Sequence, residues 1–368
     1  MNRTPFLRAA APTAAVIVLG LGLSACGAAN ETDASNDTPA GDSLSGTLNG
    51  AGASSQEAAQ AAWQAGFQTA NPNVTINYDP VGSGGGREQF LAGGVQFAGS
   101  DSYLDDEELA AAEKSCKGDP IEVPNYVSPI AVIYNLDGVE DLQLSPATLA
   151  GIFDDKIKTW DDPAIAADNP DAELPSDDIT AVHRSDESGT TENFVDYLSA
   201  AAEAEWPHEV SGDWPIQAGE AAQGTSGVVA AVQSGSGSIG YADASQAIDV
   251  GVASVKVGEE YVAPTPEAAT KVVEVSPRVE GRAETDMAVD LDRSTAESGT
   301  YPVVLASYLL ACPTYDDKAT ADLVKGYLSY VVSEEGQAAA AETAGSAPLT
   351  GELQEEALKQ VETISARG

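Results

Sequence analysis

The chain has 368 residues, of which 43% are hydrophobic, so it is long enough to bury a sizeable core and longer than the usual single domain. It carries 17 Lys and Arg against 58 Asp and Glu, a formal net charge of -41. A surface this acidic repels the phosphates of nucleic acids and anionic membrane surfaces, which excludes nucleic-acid binding and favours solubility. The length of the chain favours two lobes. No calcium-loop pattern occurs among the acidic residues.

The N-terminal residues predict export. Arg3 and Arg8 flank the start of a short apolar run at 9–23, and the run closes with small residues as LSAC, ending at Cys26. This order is typical of a secretory signal, and the run is too short to span a membrane comfortably. The LSAC ending resembles a bacterial lipobox, which implies a signal peptide at 1–25, a lipidated Cys26 and a lipid anchor outside the membrane. Cleavage elsewhere, with an incidental cysteine, is the alternative.

Residues 26–43 are small, polar and acidic, with almost nothing to bury. We expect them to form a flexible linker between the lipid and the folded body. Two further cysteines follow, Cys116 and Cys312. Since an exported protein meets an oxidising environment, a disulfide between them is favoured over two buried free thiols.

The body of the chain alternates strands and helices. In chain order the sequence predicts helix 55–70, strand 74–78, helix 86–92, strand 95–98, helix 105–115, strand 130–134, strand 179–183, helix 190–202, helix 227–233, strand 238–241, strand 303–310 and helices 316–332 and 351–364. This alternation favours an α/β fold with mainly parallel sheets. In such sheets, ligands bind where strands end and helix N-termini offer free N–H groups.

Four loops lie in that setting and carry groups suited to an anion. Ser54 and Ser55 precede the first helix, Ser83 lies in the glycine-rich segment VGSGGGR after a strand, and Asp101 follows the next strand. The segment that begins with Arg184 follows the strand DITAVH, and Arg184 supplies a fixed cation. Each feature alone is an ordinary cap or turn. Their recurrence in one structural setting indicates a common anion site.

The segment RSDESGTT extends this pattern. Asp186 stands two residues after Arg184, and we expect it to hold the guanidinium in its fork, although such a pair is often only a local salt bridge. Ser188, Gly189 and Thr190 then open a helix and offer hydroxyl and amide donors.

The sequence does not favour an enzyme, a metal site or a cofactor. The pattern GSGSIG at 235–240 matches a dinucleotide motif in letters, but it follows a helix and precedes a strand, the reverse of the required order. His183 and His208 are the only histidines, and neither has metal-ligand spacing. Because neighbouring residues of a strand point to opposite faces, His183 is expected to leave the cleft if Arg184 enters it.

The segments GAGAS, GSGGG, FAGSD, RSDESGTT, GTSGVVAAV and GSIGYA occur in collinear order over nearly the whole mature chain. Together they resemble the extracytoplasmic phosphate-binding lipoprotein of the phosphate-specific ABC importer, and the R-x-D-x-S-G-T element is the most specific part. The resemblance implies a two-lobed periplasmic-binding-protein fold, type II-like, that closes over one inorganic phosphate in the interlobe cleft. It further implies a monomer that passes phosphate to a membrane permease.

The ligands that the resemblance implies are Ser54, Ser55, Ser83, Asp101, Arg184, Ser188, Gly189 and Thr190. In that family an aromatic residue often stands where this chain has Ser55, and its backbone N–H binds phosphate. A backbone donor survives the change. Asp101 is expected to accept the P–OH hydrogen of phosphate, which sulfate lacks, so it should select phosphate.

Two boundaries complete the predictions. Chain crossings near 124–127 and 300–303 would make lobe I from residues 44–126 and 303–368, and lobe II from residues 127–302. The alternatives in function are a receptor for another tetrahedral oxyanion, a secreted phosphate-ester hydrolase that uses Ser188, and an acidic adhesin with no small ligand.

Overall fold

Strands and helices alternate through residues 44–349 and 351–368, which are the residues that the computed structural model describes. The strands are β1 (Gly46–Gly52), β2 (Val74–Asp79), β3 (Phe97–Ser100), β4 (Ile121–Asn135), β5 (Gln143–Leu144), β6 (Thr180–Arg184), β7 (Glu220–Ala222), β8 (Ser238–Asp243), β9 (Gly251–Val252), β10 (Ser254–Val257), β11 (Glu260–Val262), β12 (Val304–Ala311), β13 (Thr314–Tyr315) and β14 (Ser365–Ala366). The helices are α1 (Glu57–Ala70), α2 (Ser83–Leu91), α3 (Asp106–Cys116), α4 (Pro146–Phe153), α5 (Pro163–Asp168), α6 (Gly189–Ala201), α7 (Gly224–Ser234), α8 (Pro266–Val275), α9 (Lys318–Val332), α10 (Glu334–Ala344) and α11 (Gly351–Val361). The predicted signal peptide, Cys26 and the linker lie outside the described residues.

The main sheet has the order β2-β1-β3-β12-β4-β8-β6-β7, and β9 also pairs with β4. The predicted parallel pairing occurs in the two outer groups, where β1 is parallel to β2 and β3, and β6 is parallel to β7 and β8. It is wrong for the centre, because β4 and β12 are antiparallel to each other and to their other neighbours in the order. The fold is thus a mixed α/β sheet with antiparallel strands joining two parallel groups.

Strand β4 belongs to both halves of the sheet. Its residues Ile121–Pro129 pair with β12, and its residues Ile130–Asn135 pair with β8. The sequence predicted only 130–134 of this 15-residue strand. Pro124 and Pro129 favour a break in the strand, because proline has no N–H to donate to a neighbouring strand. The strand nevertheless runs through both. The first predicted chain crossing, at 124–127, falls within β4.

Two helices begin three residues earlier than predicted. Helix α2 begins at Ser83 instead of residue 86, and α7 begins at Gly224 instead of residue 227. In both cases a glycine in the left-handed region turns the chain into the helix: Gly82 has a φ of 97° and Gly224 a φ of 69°. The earlier starts move Ser83 and Thr225 into first helical turns.

The hydrophobic core lies between the sheet and its covering helices. On α1, Trp63 and Phe67 are one turn apart and buried, and Phe67 meets Tyr327 of α9 edge to face at 5.4 Å. The predicted disulfide is confirmed: Cys116, which ends α3, is bonded to Cys312, just after β12. Among the described helices, none is both long enough and apolar enough to cross a membrane.

Candidate functional site

Three loops from one parallel strand group meet at one edge of the sheet. Because β1, β2 and β3 are adjacent and parallel, the segments that leave them lie side by side. Ser54 and Ser55 follow β1, Ser83 begins α2 after β2, and Asp101 comes directly after β3. All four residues are buried. The sequence predicted a common anion site from the strand-end setting of Ser83 and Asp101 and the helix-start setting of Ser54 and Ser55, but it did not predict strand β1.

The RSDESGTT segment approaches the same edge from the other parallel group. Arg184 ends β6, and Ser188 is the N-cap of α6. A Cβ added to Gly189, the first residue of α6, would lie 2.7 Å from the Asp101 Cβ and 2.8 Å from the Ser83 Oγ. A side chain at residue 189 would therefore collide with Asp101. The glycine lets the α6 N-terminus approach the loops of β2 and β3.

Asp101 is the centre of the hydrogen bonds at this edge. The hydroxyl of Ser55 donates to both carboxylate oxygens, at 2.7 and 2.8 Å, and the Thr190 hydroxyl donates to Oδ2 at 3.0 Å. Ser307 of β12 donates to Oδ1 at 2.7 Å. The backbone N–H of Asp101 donates to the Ser83 Oγ at 3.1 Å. Four separate chain segments thus meet on one carboxylate and its own amide.

Two opposing effects act on the ionisation of Asp101. Burial raises the pKa of Asp101 above its ordinary value, while the hydrogen bonds from Ser307, Ser55 and Thr190 and the charge of Arg184 pull it back down. A buried carboxylate surrounded by donors is an acceptor that a ligand hydroxyl can use.

Arg184 is held in the way that the sequence predicted. Its Nε donates to the Asp186 Oδ1 at 2.8 Å, and its Nη2 bonds Oδ2, so the fork is bidentate. Burial raises the pKa of Asp186, but the Arg184 guanidinium and the Gly224 N–H, 3.0 Å from Oδ1, bring this pKa below its ordinary value. Among the described residues, none accepts a hydrogen bond from Arg184 Nη1. One N–H edge of a buried cation, whose side chain is 2% exposed, is therefore available to an anion.

Ser54 points to residues that the sequence did not predict. Its Oγ lies 3.1 Å from the Thr225 Oγ1 and accepts the Thr225 N–H at 3.1 Å. Thr225 belongs to the segment GTSGVVAAV, whose glycine and hydroxyl pair at a helix start could have identified it. Two further residues were missed: Ser307, which donates to Asp101, and Gln56, whose Nε2 donates to the Ser307 Oγ at 2.5 Å. Ser307 is a polar residue within the apolar strand VLASYLLA, and that isolation was its signal.

Ser188 acts as a helix cap, since its Oγ accepts the Thr191 N–H at 3.2 Å. A hydrolase that used this hydroxyl would need a base against it. His183 instead places its Nδ1 2.9 Å from the Arg184 carbonyl oxygen and stacks on Trp214, at 5.0 Å between ring centroids. His208 bonds Asp154. Within the described residues, neither histidine contacts Ser188 by a hydrogen bond.

A cavity of about 210 Å³ adjoins Asp101 on one side of the cluster. Its lining is acidic, with Glu192, Asp196 and Asp290, and its cation Arg293 is already bound to Asp196 at 2.9 Å. An acidic lining repels an anion, so the candidate site is the donor cluster itself and not this cavity. No group of metal-binding side chains occurs among the described residues.

All eight predicted ligand residues are thus buried in one connected region. Ser55, Asp101 and Thr190 are joined directly, Ser83 through the Asp101 amide, and Gly189 by close approach. The others lie at the ends of the same strands or the starts of the same helices. Their role as ligands remains a prediction.

The chain is similar to known proteins over most of its length. The profile of the PBP superfamily domain matches residues 37–335. Phosphate-binding protein PstS 3 of Mycobacterium leprae is 36% identical over 78% of this chain and 79% of its own length. Phosphate-binding protein PstS 2 of Mycobacterium tuberculosis is 31% identical over 96% of this chain and 98% of its own. Among solved structures, the high-affinity periplasmic phosphate-binding protein PfluDING, bound with phosphate, superposes with a TM-score of 0.69 at 25% identity, covering 84% of this chain and 92% of the other.

Proposed function

This chain belongs to the family of PstS phosphate-binding proteins within the PBP superfamily, and we propose that it binds inorganic phosphate outside the cell and delivers it to an ABC importer. One observation carries the proposal: a buried guanidinium, held by Asp186, lies in the same donor cluster as the carboxylate of Asp101. The relatives that match are named as phosphate-binding proteins.

The acidity of the chain does not oppose anion binding at this site. Charges on the surface act through water and salt, which screen them beyond roughly 8 Å at physiological ionic strength. A buried oxyanion instead feels the hydrogen bonds and dipoles that touch it, including the N-termini of α2, α6 and α7. Close donors therefore outweigh the net charge of -41.

Asp101 gives the site its preference for phosphate. Near neutral pH phosphate keeps at least one P–OH, which donates a hydrogen bond to the ionised carboxylate. Sulfate has no such hydrogen and would oppose its lone pairs to those of Asp101. A site that needs a ligand hydroxyl rejects the analogue without it by about 10⁴-fold or more.

Phosphate would be held between the two predicted lobes. With lobe I and lobe II as defined above, the Ser54–Thr225 contact at 3.1 Å and the Thr190–Asp101 contact at 3.0 Å cross from one lobe to the other. Both contacts lie beside the proposed ligands. A ligand that binds residues of both lobes has a higher affinity for an arrangement with the lobes together than for one with the lobes apart. It stabilises the closed arrangement by this difference in affinity.

The proposal includes export and anchoring. Residues 1–25 would be removed, Cys26 would carry the lipid, and residues 26–43 would let the folded body reach a membrane permease as a monomer. Labelling of cells with a palmitate analogue tests this: we expect label on the wild-type protein and none on Cys26→Ala, whereas equal labelling would contradict anchoring at Cys26.

Titration calorimetry on protein freed of bound anion tests the binding. We expect one phosphate per chain with a dissociation constant of about 1 μM or lower, and sulfate weaker by about 10⁴-fold. Absence of binding or of a thermal shift with phosphate would overturn the proposal and favour an adhesin. Equal binding of sulfate would identify a general oxyanion receptor, and turnover of a chromogenic phosphate ester would identify a hydrolase.

A further inference from the structure

A chain of buried hydrogen bonds runs from the core to Asp101. The Tyr327 hydroxyl donates to the Gln60 Oε1 at 2.9 Å, and the Gln60 Nε2 donates to the Gln56 Oε1 at 2.9 Å. The Gln56 Nε2 donates to the Ser307 Oγ at 2.5 Å. Ser307 then donates to the Asp101 Oδ1 at 2.7 Å. All five residues are at most 3% exposed, so water does not compete with these bonds.

The direction of this chain is set by its last member. An ionised carboxylate only accepts, so the single hydrogen of Ser307 has to point at Asp101, and the serine lone pairs are left to accept from the Gln56 amide. The backbone carbonyl of Ser100 is a competing acceptor for Ser307, but at 3.2 Å it is the longer contact. The side-chain amide of Gln56 is fixed in this orientation and does not flip, because its Oε1 also accepts from the Asn125 Nδ2 at 3.2 Å.

Ser307 differs from the other two hydroxyl donors of Asp101. The hydroxyls of Ser55 and Thr190 have no hydrogen-bond partner other than Asp101 among the described residues, so no further bond holds them in place when an anion binds. Ser307 lies in β12 and accepts a second hydrogen bond from the Gln56 amide, which fixes its position. It therefore remains a donor to Asp101 whether or not a ligand is present.

We propose that Ser307 and Gln56 are positioning residues that determine specificity, by keeping Asp101 ionised and oriented as the acceptor of a phosphate hydroxyl. This inference rests on the proposed function. It assigns a role to two residues outside the predicted ligand set, and it accounts for a serine and a glutamine that are completely buried at 0% exposure.

The charged groups around Asp101 leave a need for such donors. Arg184 of β6 favours the ionised form, and Asp243 of β8 opposes it at a pH above about 7, where Asp243 is itself ionised. Tyr78 of β2 also faces the carboxylate, and burial together with the Asp101 charge raises the pKa of Tyr78, so it remains neutral. When Ser307 no longer donates, protonation of Asp101 extends to higher pH. A protonated Asp101 offers a hydrogen to the ligand, which suits sulfate and not the P–OH of phosphate.

The test measures phosphate and sulfate affinities by calorimetry at about pH 5.5 and about pH 8.5 for the wild type, Ser307→Ala, Gln56→Met and Ser307→Thr. Selectivity is the ratio of the phosphate affinity to the sulfate affinity. Dividing the selectivity of a variant by that of the wild type at the same pH cancels the effect of pH on the protonation of the anions. We expect Ser307→Ala to lose selectivity by about tenfold at the lower pH, and less at the higher pH. Gln56→Met should act in the same direction with a smaller effect, and Ser307→Thr should restore the wild-type profile.

The matched control is Tyr308→Phe, which removes a buried hydroxyl from the next residue of the same strand, where it accepts the Val289 N–H at 3.0 Å. Circular dichroism melts confirm that each variant folds, and should Ser307→Ala fail to fold, Gln56→Met carries the test. If the folded variants keep the wild-type dependence of selectivity on pH, or if Tyr308→Phe changes it equally, the inference is wrong. Neither result would contradict the proposed binding of phosphate. A wild-type protein that binds no phosphate would overturn the proposed function itself, and this inference with it.

Discussion

Two aspartates at strand ends are equally buried but differently surrounded. Asp101 follows β3 and is 3% exposed, and Asp243 ends β8 and is 0% exposed. Asp101 accepts from three hydroxyls on separate segments and feels Arg184. Asp243 accepts from Tyr126 and Ser245 on Oδ1 only, and its Oδ2 has no partner among the described residues.

The consequence is a difference in ionisation. Burial, together with the nearby negative charge of Asp101, raises the pKa of Asp243 to about 7, although the hydrogen bonds from Ser245 act in the opposite direction. The comparison teaches that burial makes a carboxylate costly to ionise and that the number and charge of its donors decide whether it ionises. At the candidate site Asp101 has donors on both oxygens and Arg184 nearby, whereas the donors of Asp243 all meet one oxygen and its Oδ2 has no partner among the described residues.

The largest effect on phosphate binding is expected from removing Arg184, the cation that favours ionisation of Asp101 and has no counterpart among the groups that lower the pKa of Asp243. Arg184→Ala should weaken phosphate binding by about 4 kcal/mol, close to a thousandfold, because it leaves the anion and Asp186 without their buried partner. Calorimetry measures it, and circular dichroism should show a folded protein. Arg278→Ala removes an equal charge from a partly exposed ion pair with Glu356 and should leave binding unchanged. Loss of folding in Arg184→Ala would show that the arginine is structural.

Next in size is a change in the acceptor itself. Asp101→Asn can donate as well as accept, so it should reduce the preference for phosphate over sulfate by about a hundredfold, part of the discrimination that a required ligand hydroxyl provides. Titrations with both anions measure the preference. The control is Asp290→Asn, which removes an acid from the adjoining cavity. Unchanged discrimination in Asp101→Asn would place the selectivity in another residue.

A third prediction concerns Asp243 and the pH dependence of stability. The folded protein holds a proton on Asp243 up to about pH 7, whereas the unfolded chain releases it near 3.8. This group's contribution to the free energy of unfolding is therefore fully present below pH 3.8 and is lost as the pH rises to about 7. The shift corresponds to about 4 kcal/mol.

Asp243→Asn should remove that loss. Because the new amide leaves one N–H unpaired, we expect a net gain of about 2 kcal/mol in the free energy of unfolding near pH 8 and no gain near pH 4. Urea unfolding at the two pH values measures it, with the exposed Asp141→Asn as control. A pH dependence equal to that of the wild type would show that Asp243 does not carry the proton.

The smallest effect is expected from a donor to Asp243. Ser245→Ala removes a hydroxyl that stabilises only the ionised carboxylate, so the pKa of Asp243 rises further. The free energy of unfolding should fall by about 1 kcal/mol near pH 8 and stay unchanged near pH 5. The same urea experiment measures it. A loss that is equal at both pH values would indicate a packing role for Ser245.

The residue patterns predicted the candidate site better than they predicted the strand pairing. The setting of Ser83 and Asp101 after strands placed both at one sheet edge, and the RSDESGTT segment predicted the Arg184–Asp186 fork, because these are local rules of strand ends, helix starts and charge spacing. The antiparallel centre of the sheet was missed. Its strand β4 contains two prolines that resemble breaks in a short window, and only pairing with β12 and β8 shows that the strand continues.

The sequence by itself determined the acidity, the alternating α/β order, the anion-binding residue types and the cysteine pair. Only the tertiary structure decided which hydroxyls reach Asp101. Ser307 lies 206 residues from Asp101 along the chain, and Thr190 lies 89 residues away. Local patterns carry no information about such distances. The direction of a hydrogen bond and the pKa of a buried acid depend on neighbours that meet only when the sheet is assembled.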